Sequence, residues 1–128
     1  MTTAPIVIPA DPNTVAVKSL DDDGWIPYDL GDDVLSGEPD TKANILRTVG
    51  VKTPTLAASF FSADPSTFKW DFPSDESFVL LEGHIAITFD TGERFDLRPN
   101  DAISIPAGRT GTCEVYEPSR KFTVVTSG

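Results

Sequence analysis

The sequence is poor in cysteine, histidine and long apolar runs. It has one cysteine and one histidine. With Cys113 alone no intramolecular disulfide can form, which is compatible with a reducing cytoplasm. The longest apolar runs are only a few residues, such as residues 78–81, so no membrane span is expected. The first residues, MTTAPIVIPADP, lack a basic start and a long apolar stretch, so we expect no secretory signal and a cytoplasmic protein.

Positive charge is also scarce. Ten basic side chains stand against 20 acidic ones, and the net charge is −10. Such a surface repels phosphate backbones, so a nucleic-acid partner is not expected. Nine acids and two lysines lie in residues 1–42, a balance of −7. We interpret residues 1–42 as a solvated, irregular acidic arm outside the core, and residues 43–128 as the folded domain. An acidic patch that recruits a basic partner is the alternative.

Short β-like runs fill the chain from residue 43 onward. They are separated by turns rich in Gly, Pro, Asp and Ser, and DTGE at residues 90–93 is a hairpin signal. No window there shows an apolar stripe of helical period. A chain of 128 residues suits one domain, and many short antiparallel strands predict an all-β sandwich or small barrel. The predicted strands are 44–49, 55–61, 68–72, 78–81, 84–89, 94–97, 102–105, 110–116 and 121–126.

Alternation along two of these runs assigns side chains to the inside of the barrel. His84 lies opposite an apolar face, so we expect it outside the barrel or at a subunit contact. Cys113 lies on an inward face, and we expect a buried packing residue. A nucleophilic thiol is the alternative, which requires a nearby base or positive field. The inward sets are Ile85, Ile87 and Phe89 in one run, and Gly111, Cys113 and Val115 in the other.

The stretch TFKWDFPSDESFVLLEGHIAITFDTGERFDLRPNDAISIPAGRTGTCEVYEPSRKF resembles the cupins. Within them it is most similar to the small single-domain branch named ethanolamine-utilisation-like or ureidoglycine-aminohydrolase-like. The resemblance covers about residues 55–126. It implies a jelly-roll β-barrel whose two motifs line one mouth, and commonly a homodimer. Its most specific pieces are Glu76, followed by six residues and Gly83, and then Asp101, Pro106, Ala107 and Gly108.

The resemblance also implies a metal site in most cupins, built from two histidines and a glutamate in the first motif and a histidine in the second. Here the paired histidine positions hold Lys69 and Asp71, or their neighbours at 70 and 72, and the last histidine falls on Gly111. Glu76 remains of the four ligands. One carboxylate cannot hold Zn, Fe or Mn in such a site, so we expect no metal and no other cofactor.

Glu76 is the strongest candidate for a catalytic residue. Its strand would aim Glu76, Phe78 and Leu80 at one face, so a carboxylate would lie among apolar neighbours and be suited to general acid/base catalysis. A solvated or paired glutamate at the rim is the alternative. Lys69 and Asp71 also share one face and would reach the same pocket, so we expect them in the catalytic set, where a lysine beside two carboxylates would anchor an anionic substrate or hold a proton relay. A surface ion pair is the alternative for these two residues.

Arg109 follows PAG at the expected barrel mouth, where its guanidinium would bind a carboxylate bidentately. A solvated loop arginine is the alternative. Trp70, Phe78 and Cys113 complete the expected substrate-binding set, although aromatic residues in such strands are mostly core.

Two further pairs of residues have structural interpretations. Trp25 and Tyr28 would fold the acidic arm back over the barrel or a partner subunit. Arg120 and Lys121 match the basic pair that the resemblance places on the last strand, and an edge strand kept soluble by charge is the alternative.

Two functions follow from the sequence. The first is a cupin that binds a small molecule without the usual histidine ligands, with no defined activity. The second is a metal-independent isomerase, lyase or hydrolase that acts on a small polar or anionic molecule with Glu76 as general acid/base.

Overall fold

The structure is a computed structural model that describes residues 15–49 and 56–126. Within these residues no helix is long and apolar enough to cross a membrane. A single 3-10 turn spans Gly31–Asp33. The strands are β1 (Ile26–Pro27), β2 (Val34–Gly37), β3 (Lys42–Val49), β4 (Leu56–Ala63), β5 (Ser66–Phe72), β6 (Asp75–Phe89), β7 (Arg94–Leu97), β8 (Ala102–Ile105) and β9 (Arg109–Thr126).

The two longest strands, β6 and β9, organise the sheet. One edge of β9 pairs with β6, and its other edge pairs with β5 over the first half and with β4 over the second half. The free edge of β6 pairs in the same way with β8 and then with β7. Every pairing is antiparallel, and the order continues from β4 through β3 to β1 and from β5 to β2. The curled sheet confirms the predicted all-β barrel.

Each of the long strands replaces two predicted short strands. The expected break after residue 81 is a series of three register shifts between Leu80 and Ile85, not a turn. Gly83 between them has φ +93°, and a Cβ there would lie 2.1 Å from Ser119 Oγ and 2.5 Å from the carbonyl oxygen of Pro118. Glycine therefore lets β6 continue through the bulge while β9 passes close to its backbone.

The predicted inward faces are buried. Cys113 and the four apolar residues that share its side of the sheet belong to one core cluster: Ile85, Ile87, Phe89 and Val115. His84 lies outside the barrel, as expected. Its Nε2 is 2.7 Å from Asp96 Oδ1, and its ring is 4.8 Å from the ring of Tyr116.

The described part of the acidic arm is tied to the barrel at several points. Its strands β1 and β2 pair with β3 and β5, and Leu30 is 2% exposed within the core cluster. The expectation that the arm lies outside the core is therefore wrong for Leu30, because the β1 and β2 pairings hold the segment between them against the barrel. Trp25 packs on Phe60 at 6.5 Å between ring centres, so the arm does fold back over the barrel.

Asn44 on β3 fastens the preceding stretch of the arm. Its side chain is fully buried. Asn44 Oδ1 accepts a hydrogen bond from Lys18 Nζ at 2.7 Å, and Nδ2 donates to the carbonyl oxygens of Asp22 and Asp23 at 3.1 and 3.3 Å. One buried amide therefore holds the arm at three points.

Candidate functional site

A largely apolar cavity lies inside the barrel, between β4, β5, β6 and β9. Its volume is about 30 Å³. The polar part of the wall is Ser119, Arg120 and Lys121, and the aromatic part is Phe61, Phe68, Trp70, Phe72 and Phe78.

Lys121 places an ammonium group among these aromatic rings. Its Nζ lies 4.0 Å from the ring centre of Phe78, 5.2 Å from that of Phe61 and 5.7 Å from that of Trp70. A cation over an aromatic face within about 6 Å is attracted by the ring quadrupole. The cavity thus combines an apolar surface with one cation that three rings surround.

Glu76 balances this cation. Glu76 Oε2 lies 3.4 Å from Lys121 Nζ and accepts a hydrogen bond from Thr123 Oγ1 at 3.2 Å. The predicted face of β6 is confirmed, because Glu76, Phe78 and Leu80 are all buried. Among the described residues Lys121 lines the cavity and Glu76 does not, so a bound molecule meets the lysine first.

Cys113 lines the cavity, and its chemistry is that of a protonated thiol. Burial raises the pKa of Cys113 to about 11, with the Lys121 cation lowering it and the Glu76 carboxylate raising it. A thiol with so high a pKa is a weak nucleophile at neutral pH. We therefore assign Cys113 to the wall of the cavity.

Tyr28 brings the arm to the back of the aromatic wall. Its ring packs against Phe61 at 5.6 Å and against Trp70 at 5.8 Å between ring centres. Burial raises the pKa of Tyr28, and the negative charges of Glu76 and Asp33 raise it further. Its hydroxyl therefore stays protonated at physiological pH.

Lys69 and Asp71 do not reach the cavity. Both are exposed, whereas Phe68, Trp70 and Phe72 on the same strand point inward and line the wall. The prediction that Lys69 and Asp71 share a pocket with Glu76 is wrong, because alternation along β5 places the aromatic residues inside and the charged ones outside. The inward positions of the motif are thus Trp70 and Phe72.

Arg109 binds within its own chain instead of at the cavity mouth. Its Nε lies 3.1 Å from Asp90 Oδ1, and its Nη2 donates to Thr91 Oγ1 at 2.9 Å. Its guanidinium also lies 5.0 Å from the ring centre of Phe89 and 3.4 Å from Glu93 Oε1. Since the DTGE turn takes up these donors, Arg109 braces the β6–β7 hairpin and is not among the described residues that line the cavity.

Lys121 is the site residue that the sequence left ambiguous. In the run KFTVVT it alternates with Thr123 and Val125 on one face, while Phe122 and Val124 lie on the other. Because both faces carry apolar residues, alternation alone does not say which one points inward. The pairing of Lys121 with Leu80 of β6 decides it.

The described donor set does not fit a metal ion. No group of three His, Cys, Asp or Glu side chains comes together within residues 15–49 and 56–126. Glu76, which occupies the glutamate position of the motif, is next to an ammonium group. A side chain at Gly111 would begin 3.1 Å from Ile87 Cγ2, so a histidine there would require its neighbours to move.

Comparison with known proteins places the chain by sequence and by fold. Residues 52–122 match the family described as EutQ-like cupin domain. No curated protein matches the chain. The ethanolamine utilization protein Q of Salmonella typhimurium is 24% identical with a TM-score of 0.60, over 68% of this chain and 69% of that one.

Two further solved structures share the fold. EutQ of Clostridium difficile is 22% identical with a TM-score of 0.60, over 69% of this chain but only 63% of that one. KdgF of Halomonas is 19% identical with a TM-score of 0.58, over 80% of this chain and 85% of that one. At these identities the likeness concerns architecture, and function has to be argued from the site.

Proposed function

The chain belongs to the EutQ-like cupin domain family, and we propose that it binds a small molecule in the aromatic cavity, through a polar group that meets Lys121. One observation carries this proposal: the Lys121 ammonium group lines an otherwise largely apolar cavity, where Glu76 and three aromatic rings hold it. Removing a lysine from water is unfavourable unless it is paired. A purely structural core has no need of this cation.

The remaining donors of Lys121 define the polar half of the ligand. An ammonium group has three N–H donors, and Glu76 is placed to take one of them. An acceptor on the ligand takes another, while the faces of Phe61, Trp70 and Phe78 contact its apolar body. This division, an apolar wall with one placed polar group, is typical of small-molecule sites.

The cavity also limits the size of the ligand. The cavity volume of about 30 Å³ is roughly two to three times the minimum that one water requires. A ligand of only a few non-hydrogen atoms fits without displacement of the walls. Short branched acids, amides and amines are therefore suitable probes.

The test compares isobutyrate, isobutyramide and isobutylamine by thermal shift and calorimetry. Isobutyrate should raise the unfolding temperature of the wild type, since a ligand at 100 times its Kd stabilises the folded state by about 2.7 kcal/mol. Lys121→Met should lose this shift. Lys69→Met, which removes the exposed lysine of β5, should retain it.

A second measurement uses only the wild-type protein, so it does not require a variant to fold. Because Cys113 lines the cavity, a bound probe should slow its alkylation in the wild-type protein. Absence of any shift or protection by the three probes, or retention of the shift in Lys121→Met, would refute the proposal.

The alternative is a metal-independent enzyme with Glu76 as general acid/base. It is favoured by the 3.4 Å separation of Glu76 Oε2 and Lys121 Nζ, which would let a proton pass from the cavity to the carboxylate through the lysine. NMR of a bound compound distinguishes the two functions. An enzyme converts the compound and loses turnover in Glu76→Gln while binding persists, whereas a carrier returns the compound unchanged.

A further inference from the structure

The polar end of the aromatic cavity carries one positive and one negative side chain. The Lys121 ammonium group lines the cavity, and the Glu76 carboxylate lies 3.4 Å from it. The two side chains are only 15% and 8% exposed, so little water screens their charges. Because the two charges cancel, the pair is neutral before any ligand binds.

The cavity offers a ligand no second cation. Among the described residues that line it, Arg120 is the other one with a basic side chain. Neighbouring residues of a strand point to opposite faces of a sheet, so the guanidinium of Arg120 lies outside the barrel when the ammonium group of Lys121 lies inside. There it binds Glu82 and Asp21, and Lys121 alone faces the ligand.

The other titratable groups near the pair add no positive charge. Burial raises the pKa of the Cys113 thiol to about 11. Burial also raises the pKa of the Tyr28 hydroxyl, and the carboxylates of Glu76 and Asp33 raise it further. The side chains that β4, β5 and β8 contribute to the cavity wall and the core around it are apolar. Lys121 is therefore already balanced by Glu76, and Asp33 adds only negative charge.

An ionised ligand would add a negative charge that nothing in the cavity balances. An oxygen that accepts a hydrogen bond from Lys121 Nζ lies about 2.9 Å from it. It is then no more than about 6.3 Å from Glu76 Oε2, since that oxygen lies 3.4 Å from the same nitrogen. Two carboxylates so close together and away from water disfavour the second negative charge, and one of them keeps a proton.

We propose that the cavity takes small carboxylic acids in their undissociated form, with the carbonyl oxygen of the acid on Lys121 Nζ. The proposal rests on the proposed function, and it assigns the chemical class and the ionisation state of the ligand. A carboxylate that is free as the anion takes up one proton from the solvent when it binds, and the O–H bond of the acid is the only covalent bond formed. The bound state keeps the Lys121 cation, the Glu76 anion and a neutral ligand.

Calorimetry of the wild-type protein tests this uptake of a proton. Titration with isobutyrate at pH 7 in two buffers of different ionisation enthalpy gives the number of protons taken up, which should be about one per ligand. The affinity should fall about tenfold for each unit of pH between 6 and 8. Isobutyramide, which is neutral at every pH in this range, should bind without proton uptake and without a dependence on pH.

Two matched variants test whether Glu76 is the cause. Glu76→Gln leaves Lys121 without a counterion, so isobutyrate should bind as the anion, with no proton uptake and less than about a two-fold change of affinity between pH 6 and 8. Glu82→Gln makes the same change of charge on the same strand, but Glu82 binds Arg120 outside the barrel. It should keep the uptake of about one proton.

NMR of isobutyrate labelled with carbon-13 at the carboxyl group observes the ionisation state directly. Bound to the wild type at pH 7, this carbon should resonate at the position of the free acid at low pH. Bound to Glu76→Gln, it should resonate at the position of the anion. The wild-type spectrum does not require any variant to fold.

Failure of this inference can be separated from failure of the proposed function. Binding of isobutyrate that depends on Lys121 but takes up no proton, or a bound carboxyl group at the position of the anion, would reject the undissociated acid and retain the binding cavity. Equal proton uptake in Glu76→Gln and the wild type would also reject it. Absence of binding by isobutyrate, isobutyramide and isobutylamine would refute the proposed function and this inference together.

Discussion

Glu76 Oε2 lies 3.4 Å from Lys121 Nζ across the β6–β9 interface, although 45 positions separate the two residues in the chain. Their side chains are 8% and 15% exposed. Much of the attraction within such a buried pair only offsets the hydration that both groups lose. The pair therefore adds little net stability. Removal of either partner is nevertheless destabilising, because it leaves a buried charge without its counterion.

The first prediction concerns this pair. Lys121→Met should lower the free energy of unfolding by about 3 kcal/mol, because among the described residues only the Thr123 hydroxyl still binds the Glu76 carboxylate. The double variant Glu76→Gln with Lys121→Met should be more stable than Lys121→Met alone, since no buried charge is left. Urea denaturation measures both.

A second double-mutant cycle, on the exposed pair of Lys42 and Asp40, which lie 3.6 Å apart, serves as the control for the cycle on Glu76 and Lys121. Its coupling energy should stay below about 1 kcal/mol. Equal coupling energies in the two double-mutant cycles would contradict the prediction that an unpaired charge costs more in the Glu76–Lys121 environment than at the surface.

The second prediction concerns alkaline pH. Because burial raises the pKa of Cys113 from 9.0 to about 11, the unfolded thiol ionises first as the pH rises. The folded state then loses stability between about pH 9 and 11, by about 2 kcal/mol at the upper limit. Below about pH 9 this contribution does not change with pH.

Comparison with Cys113→Ala isolates the thiol from the lysines and tyrosines that titrate in the same range. The difference in unfolding free energy between wild type and Cys113→Ala should narrow or change sign as the pH rises from 9 to 11. A constant difference over that range would show that the thiol is not buried.

The third prediction concerns the bulge in β6. Gly83→Ala should destabilise the fold by at least about 2 kcal/mol, since it adds strain at positive φ to a contact 2.1 Å from Ser119 Oγ. Gly92→Ala is matched, because Gly92 has φ +88° and no atom within 4 Å of the added Cβ. It should lose only about 1 kcal/mol. Similar losses of unfolding temperature in the two variants would mean that β6 and β9 move apart at the bulge with little loss of stability.

The fourth prediction concerns the attachment of the arm. Asn44→Ala removes the buried amide that binds Lys18 and two carbonyl oxygens, and should destabilise the protein by about 2 kcal/mol. Exchange of the amides in residues 18–24 should quicken more than exchange in β6. Ser77→Ala breaks an exposed hydrogen bond to Ser104 and should change stability by less than about 0.5 kcal/mol. If the amides of residues 18–24 still exchange slowly in Asn44→Ala, contacts other than those of Asn44 hold the arm.

The all-β class, the inward faces around Ile87 and Cys113 and the outward position of His84 could be predicted from the sequence, because a strand's side chains alternate with a period of two whatever it pairs with. The same rule, applied to FKWDF, places Trp70 and Phe72 inside. The prediction that Lys69 and Asp71 lie in the pocket is wrong, because these two residues alternate with the inward aromatic residues of β5.

The side chains that meet in the cavity depend on long-range strand pairing and could not be predicted from local patterns. Lys121 lies on a strand with apolar residues on both faces, so its direction depends on the register of β9 against β6, including the bulge at Gly83. The same register brings Glu76 to it from 45 residues away. The position of Asp21 on Arg120 depends in turn on the fold of the arm around Asn44. These contacts depend on the pairing of strands that are far apart in the sequence. Local patterns in the chain do not specify which residues of two such strands lie opposite each other.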